Sequence, residues 1–423
     1  MKKITMIVLA IVCTAGILMA GGAKESQTSS SRTTIKVSTW DLSSNPSVSN
    51  AVAAFEAKNP DIKVELMDIP STEYTQKLSI MLNGGSDLDA FFIKDADTTK
   101  SLFDKGQLAD MRPYIAADSF DIEGFNGLTK NFTMPNGAVV GLPVRSDWYV
   151  MYYNKDIFDA AGIAYPGNDW TWTEFEQLAK RLTSGSGATK VYGALLHTWQ
   201  ACVQNWGVQD GKHTIMDSDY SFFKPYYEMA LRMQNEDKTL MDYATLKTSN
   251  IHYSSAFLTG RVAMMPMGTW FITTAIDKVK IGESSVRWGI VTLPHAEDVP
   301  QGYTVGSATP VSMNQASSKK DAAWKFISFM TGEEGASEYA KAGAFPGRNN
   351  EKTLSSIASL NGMPEGALHA LQVTNISFDR PGVDKVAEIN AMLGEEHSMI
   401  MLGEVSINEG LSTMSARNKE ILR

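Results

Sequence analysis

Two consecutive stretches decide the fold: GLPVRSDWYVMYYNKDIFDAAGIAYP at residues 141–166, then WTWTEFEQLAKRLT at residues 170–183. The apolar run Trp148–Tyr153 reads as a strand that enters a short helix at Asn154-Lys155. Gly162 sits where a helix ends on a left-handed residue, and Pro166 prevents continuation. Thr171 or Thr173 caps a new amphipathic helix, with Glu174 and Glu176 in its first turn complementing the helix dipole.

Outward from this stretch, strands and helices alternate. Thr34–Trp40 reads as a strand with Ile35, Val37 and Thr39 on one face. A helix is predicted over 46–58, carrying Val48, Ala51, Val52 and Phe55 at helical spacing. Asn59-Pro60-Asp61 ends it, and Ile62–Met67 forms the next strand. A helix over 72–83 stops at Gly84-Gly85, and a third strand covers 90–93. Residues 286–294 and 309–313 read as later strands, with a helix over 320–330. This alternation predicts an α/β fold with mostly parallel sheets flanked by helices.

The motifs resemble those of the extracellular solute-binding proteins of bacterial ABC importers, in the sugar-binding family that includes maltose-binding protein. Gly141, Pro143, Tyr153, Asn154, Lys155, Asp156, Phe158, Gly162, Thr171, Trp172 and Glu174 carry the first likeness. The run Phe257-x-x-Gly260-Arg261-x-Ala263-Met264 followed by Gly268-x-Trp270 carries a second. Thr331-Gly332-Glu333-Glu334 and Phe345-Pro346-Gly347-Arg348 carry a third. The likeness spans residues 34–348 in order. It implies a two-lobe, hinged (Venus-flytrap) fold with the ligand cleft between lobes. Lobe 1 would hold 33–143 and 275–332, and lobe 2 would hold 144–274 and 333–423.

The chain has 423 residues, enough for two domains. Lys2 and Lys3 precede an apolar run, Ile4–Met19, and then Ala20, Gly21, Gly22 and Ala23. That order is a cleaved secretory signal over 1–23, followed by a polar flexible leader over 24–32. The apolar run is short for a membrane span. Cys13 lies inside the run rather than after it, so a lipid anchor is not expected. Cys202 is then the one remaining thiol, expected as a small buried hydrophobe. Removing Lys2 and Lys3 from 38 basic residues leaves 36 against 47 acidic, a net charge of −11. Such a balance argues against a nucleic-acid partner, which needs a basic footprint. A periplasmic or extracellular location follows.

No metal-ligand spacing, phosphate loop or dinucleotide fingerprint is present, so no cofactor, metal or catalytic residue is expected. Ser317-x-x-Lys320 fits helix capping better than a nucleophile. A glycosidase carboxylate pair is set by spatial separation, which leaves a secreted carbohydrate-active enzyme as an alternative, though no pair stands out.

What remains are aromatic and polar residues at strand ends, the chemistry that grips sugars: rings cover C–H faces, charged groups bind hydroxyls. Trp40 and Asp41 leave the first strand at its carboxyl end, where open α/β sheets bind ligands. Lys94, Asp95 and Asp97 leave the third strand likewise. Arg145, Asp147 and Trp148 precede the strand of the first motif. Trp199 and Trp206 lie in a polar-aromatic loop. Gly268 and Trp270 match the family's Gly-x-Trp, whose indole stacks on sugar; Arg348 and Arg380 are further candidates. Trp172, Trp288 and Trp324 are expected in the core, and Trp40 fits either role. The resemblance implies a monomeric receptor that closes on a mono- or oligosaccharide and delivers it to membrane permease subunits. A receptor that signals through a chemoreceptor is an alternative. So is a polyol or sugar-phosphate ligand, although a phosphate should recruit several Lys and Arg.

Overall fold

The structure is a computed structural model that describes residues 32–42, 46–125 and 127–423. The expected signal over 1–23 and most of the leader over 24–32 lie outside the described residues.

The strands are β1 (Thr33–Trp40), β2 (Ile62–Ile69), β3 (Ala90–Phe92), β4 (Leu142–Asn154), β5 (Tyr192–Ala194), β6 (Val262–Gly268), β7 (Trp288–Val291), β8 (Tyr303–Met313) and β9 (Asn375–Phe378). Their main hydrogen-bonded order is β2-β1-β3-β8-β4-β6-β5, with β7 pairing with β4 and β9 with β8. β1 runs parallel to β2 and β3, with Val37 opposite both Leu66 and Ala90. Ile35, Val37 and Thr39 are buried as their alternation predicts.

Two long strands join the halves of the molecule. The first part of β4, Leu142–Trp148, pairs antiparallel with β8. Its second part, Tyr149–Asn154, pairs with β6 and β7. β8 likewise meets β9 at Tyr303–Gly306 and β3 at Val311–Met313. β4 begins six residues earlier than the apolar run alone indicates. A register shift between Pro143 and Arg145 accommodates the proline, which has no N–H for the ladder.

Past that shift β4 is buried on both faces. Tyr149, Met151 and Tyr153 enter one hydrophobic cluster, and Trp148, Val150 and Tyr152 enter another. That is why the run lacks polar alternation. Local signals hold where they were read. Asn154 Oδ1 accepts from the N–H groups of Asp156 (3.0 Å) and Ile157 (3.4 Å). Gly162 adopts φ 63° at the helix end. Thr171, rather than Thr173, makes the cap, in a reciprocal box with Glu174.

The packing corrects the expected lobe boundaries. Residues 275–300 were expected with lobe 1. Instead helix Phe271–Lys280 and β7 join the cluster containing Val150, Tyr152 and Met265, because β7 is the antiparallel partner of Met151–Asn154. Helix Glu333–Lys341 was expected with lobe 2. It places Tyr339 in the cluster of Ile35, Phe55 and Phe326. The chain passes between the halves along β4, along β8, and near Pro346, which bridges to Arg145.

Candidate functional site

Trp40 ends β1, and Asp41 follows in a left-handed conformation (φ 49°) that a short polar side chain tolerates. Asp41 Oδ1 accepts from the backbone N–H of Ser71 at 3.0 Å. Trp40 rests on Tyr74, with ring centroids 4.9 Å apart, and meets Phe92 edge-on at 6.5 Å. Tyr74 is itself fixed by donating to the Phe92 carbonyl at 2.7 Å. One side of Trp40 therefore packs into its lobe, and the residue also lines an open cleft of about 520 Å³. Trp40 thus has both a packed side and a side on the cleft.

Across that cleft stands Trp270, two residues beyond the end of β6. A Cβ on Gly268 would lie 2.1–2.3 Å from the indole, so only glycine allows the ring to rest there. The indole meets Tyr149 edge-on at 5.4 Å and lies beside the Tyr253 side chain. Arg145 lines the same cleft. Its Nε lies 2.7 Å from Asp147 Oδ2, a charge contact out of hydrogen-bond alignment, and its Nη2 donates to Oδ1 at 3.3 Å. Thr269 Oγ1 also donates to Asp147 Oδ1, at 2.8 Å. Asp147 is only 7% exposed. Its geometry makes it a support for Arg145 and Thr269 more than a group open to solvent. Lys280 and Lys341 stand on the cleft rim with Asp277, and Lys341 is paired with Glu338.

Lys94, Asp95, Asp97 and Arg380 form a neighbouring charged cluster. Lys94 Nζ lies 3.7 Å from Asp95, and Asp95 accepts from Thr75 Oγ1. Asp379 sits 3.7 Å from Arg380 Nε. One oxygen each of Asp97 and Asp379 is buried without a hydrogen-bond partner. Burial holds both carboxyls above the usual range, with Arg380 opposing it and Asp95 and Asp379 adding to the rise at Asp97. Tyr149 stands between this cluster and Trp270: it feels the charges of Asp379 and Arg380, and burial raises its phenol well above the usual value.

Three candidates belong elsewhere. Trp148 is 1% exposed and packs edge-on against Phe345 at 4.9 Å. Trp206 is 1% exposed and stacks on Trp172 at 4.8 Å. Neither has surface left for a ligand. Arg348 is 4% exposed; it bonds the Thr331 carbonyl and Asp121, with Phe120 and Phe125 beneath its guanidinium. It fastens loops together. Trp199 lies outside the main cleft and touches Tyr253 at 5.4 Å. Tyr253, Thr269 and Asp379 were missed. Tyr253 and Thr269 both lie inside the 251–270 run that carries the second motif. Asp379 had no sequence signal beyond its place beside Arg380.

The residues offer binding chemistry. Burial pushes the Cys202 thiol up to about 12, leaving no thiolate at neutral pH. Among the described residues no group of three or more His, Cys, Asp or Glu is arranged to hold a metal ion. No helix among them is long and apolar enough to cross a membrane.

The family model for bacterial extracellular solute-binding proteins matches residues 40–337. This chain belongs to that family. A sugar transporter of Rhizobium etli, solved in an open conformation, is 41% identical; the match covers 91% of this chain and 99% of that one, at a TM-score of 0.84. An ABC substrate-binding protein of Listeria monocytogenes in complex with cycloalternan shares the fold at 24% identity and TM-score 0.78, over 92% of this chain and 99% of its own. The sn-glycerol-3-phosphate-binding periplasmic protein of Escherichia coli is 22% identical over 89% of both chains. These members of the solute-binding family are binding proteins, and the mixed α/β architecture described above is theirs.

Proposed function

We propose that this solute-binding protein is a secreted carbohydrate receptor of an ABC importer, and that it works without chemistry on its ligand. One observation carries the reading: Trp270 and Arg145 face Trp40 and Asp41 across a single open cleft. An indole on each side matches the C–H faces of a pyranose, and the guanidinium and carboxylate match its hydroxyl rim. Trp270 is the stacking platform. Arg145 is the hydroxyl donor, oriented by Asp147. Asp95, Asp97 and Arg380 supply further polar contacts once the lobes approach each other along β4 and β8. The closed form docks on permease subunits. The Rhizobium relative's description as a sugar transporter supports this reading. The exported form is a monomer cleaved near residues 20–23; in the sequence Cys13 falls within the apolar run rather than after it, which supports a form without a lipid.

A second reading rests on the rim. Lys280 and Lys341 reach the cleft that Arg145 lines. That gathering of cations, from segments far apart in sequence, suits a sugar phosphate. A thermal-shift screen separates the readings, because a ligand that binds only the native state raises its melting temperature. Neutral oligosaccharides, polyols and sugar phosphates are the panel. Stabilisation by neutral sugars alone supports the first reading. Stabilisation by phosphates alone replaces it with the second, and no response from any carbohydrate sinks both. Chromatography of the incubated sugars should show them unchanged; turnover would instead favour an enzyme.

A further inference from the structure

Asn-Gly pairs occur at residues 83–84, 126–127, 136–137 and 361–362. In such a pair the glycine's backbone nitrogen can attack the asparagine's side-chain amide, because no glycine side chain shields it. Asn126 lies outside the described residues. Asn83, Asn136 and Asn361 are all exposed, so exposure does not separate them. Hydrogen bonding does. At the end of helix Tyr74–Asn83 the Gly84 N–H donates to the Ile80 carbonyl at 2.9 Å, and Asn83 Oδ1 accepts from Gln107 Nε2 at 2.8 Å. The Gly137 N–H donates to the Met134 carbonyl at 2.8 Å, and Asn136 Oδ1 accepts from the Ala138 N–H at 3.0 Å. In both pairs the nucleophile and its target are held.

Asn361-Gly362 differs. The pair sits in the middle of a turn closed by the Met363 N–H, which donates to the Leu360 carbonyl at 3.0 Å. Such a turn makes no use of the N–H of its third residue. Among the described residues neither the Gly362 N–H nor the Asn361 side chain has a hydrogen-bond partner. Gly362 holds φ 98°, and a Cβ on it would lie 2.9 Å from Ile276 Cγ2, so the position requires glycine. Asn361 also lines the main cleft, as do Lys280 and Lys341.

We infer that Asn361 is a site of spontaneous deamidation, which converts the lining of the cleft to a more acidic form as the protein ages. Gly362 N bonds to Asn361 Cγ and closes a succinimide ring. The Cγ–Nδ2 bond breaks, and ammonia leaves with the proton of the Gly362 amide. Water from solvent then opens the ring at Cγ to give aspartate, or at the backbone carbonyl carbon to give isoaspartate. Either product puts a carboxylate where a neutral amide stood, in the cleft that Lys280 and Lys341 line. Isoaspartate also lengthens the turn by one backbone carbon.

The test is to hold the folded protein in mildly alkaline buffer and to map its peptides by mass spectrometry over time. Each deamidated peptide is heavier by the exchange of NH for O. The Asn361 peptide should convert about tenfold faster than those of Asn83 and Asn136, whose pairs are each held by two hydrogen bonds. In urea, where those bonds are gone, the three rates should converge. Asn361→Gln, whose amide would have to close a larger ring, should lose the fast-forming acidic species on isoelectric focusing with its melting curve unchanged. Equal rates at the three sites in the folded protein overturn the inference. So does a lead for Asn361 that persists in urea, since the neighbouring sequence and not the fold would then set it. Neither outcome depends on what the cleft binds, so the carbohydrate reading stands or falls separately.

Discussion

The aromatic side and the charged side of the cleft are finished to different degrees. Trp270 meets Tyr149 edge-on, Tyr253 meets Trp199 edge-on, and Gly268 lets the Trp270 indole rest on its backbone. Those contacts are complete without a ligand. In the charged cluster beside the cleft, Asp97 Oδ1 and Asp379 Oδ1 are buried without hydrogen-bond partners, and Arg145 Nε meets Asp147 only as a charge contact out of alignment. Native interiors rarely leave such atoms unmatched. The difference teaches a division of labour. Under the carbohydrate reading proposed above, the rings are the platform for an apolar sugar face, and the charged groups gain partners only as the cleft rearranges around the ligand. A preformed platform limits the ordering cost of binding, while unfilled polar atoms give directional selectivity.

The largest expected effect sets the control for that comparison. Trp206→Ala removes an indole stacked in the core and should cost on the order of 3–5 kcal/mol of stability. Affinity per folded molecule should stay near wild type. Trp270→Ala should show the opposite balance: about 1–3 kcal/mol lost in binding from apolar contact and stacking, with a melting temperature close to wild type. Chemical denaturation alongside calorimetry reads both quantities. If Trp270→Ala unfolds the protein as Trp206→Ala does, the aromatic side is core rather than platform.

The sequence could not separate these two indoles with certainty, and the reason is physical. Trp206 lies in helix Ala201–Val208, where seven of eight residues are buried, so helical periodicity offers no exposed face to mark. Trp148 fails similarly: both faces of β4 are covered there, and alternation then carries no information about the cleft. Local signals were legible because they act over three or four residues, as in the Thr171–Glu174 capping box and the Gly162 stop. That Trp40 and Trp270 line a cleft was legible because strand ends point at clefts in this architecture. The lobe boundaries were not, since the place of β7 depends on pairing with Met151–Asn154 more than a hundred residues away. The orphaned oxygens of Asp97 and Asp379 likewise exist only once the short 3₁₀ turn Ala96–Thr98 and the end of β9 are brought together around Arg380.

Between these extremes lies the Arg145–Asp147 pair. Asp147→Asn keeps the shape and can still accept from Thr269, but it removes the charge that faces Arg145. A charge-assisted bond in a partly buried site contributes about 1.5–3 kcal/mol, and the asparagine retains part of it. The expected loss is therefore about 1–2 kcal/mol of affinity, with a smaller loss of stability. Arg145→Lys should fall on the same side, because an ammonium lacks the planar fork. Wild-type affinity in both variants would mean that the charged side does not touch the ligand.

The smallest effect is the most specific to the unfinished side. Burial raises the Asp97 carboxyl above its ordinary value of 3.8, and this desolvation outweighs the attraction of Arg380. A folded-state pKa above the unfolded one means that the folded protein holds its proton more tightly. Stability therefore falls as pH rises from about 3.8 through the folded value, and at pH 7 the full cost of the buried charge is present. Asp97→Asn removes that cost. In the ligand-free protein it should stabilise at pH 7, and the gain should vanish near pH 4. Taking the difference between variant and wild type at each pH cancels the titration of His397, whose depressed pKa destabilises both proteins alike in acid. With ligand bound the sign should reverse, because the amide loses the charge that strengthens a hydroxyl's hydrogen bond. A variant that is equally destabilised at pH 4 and pH 7 would show Asp97 to be a structural anchor, and the contrast between a finished and an unfinished side of the cleft would fail at its sharpest point.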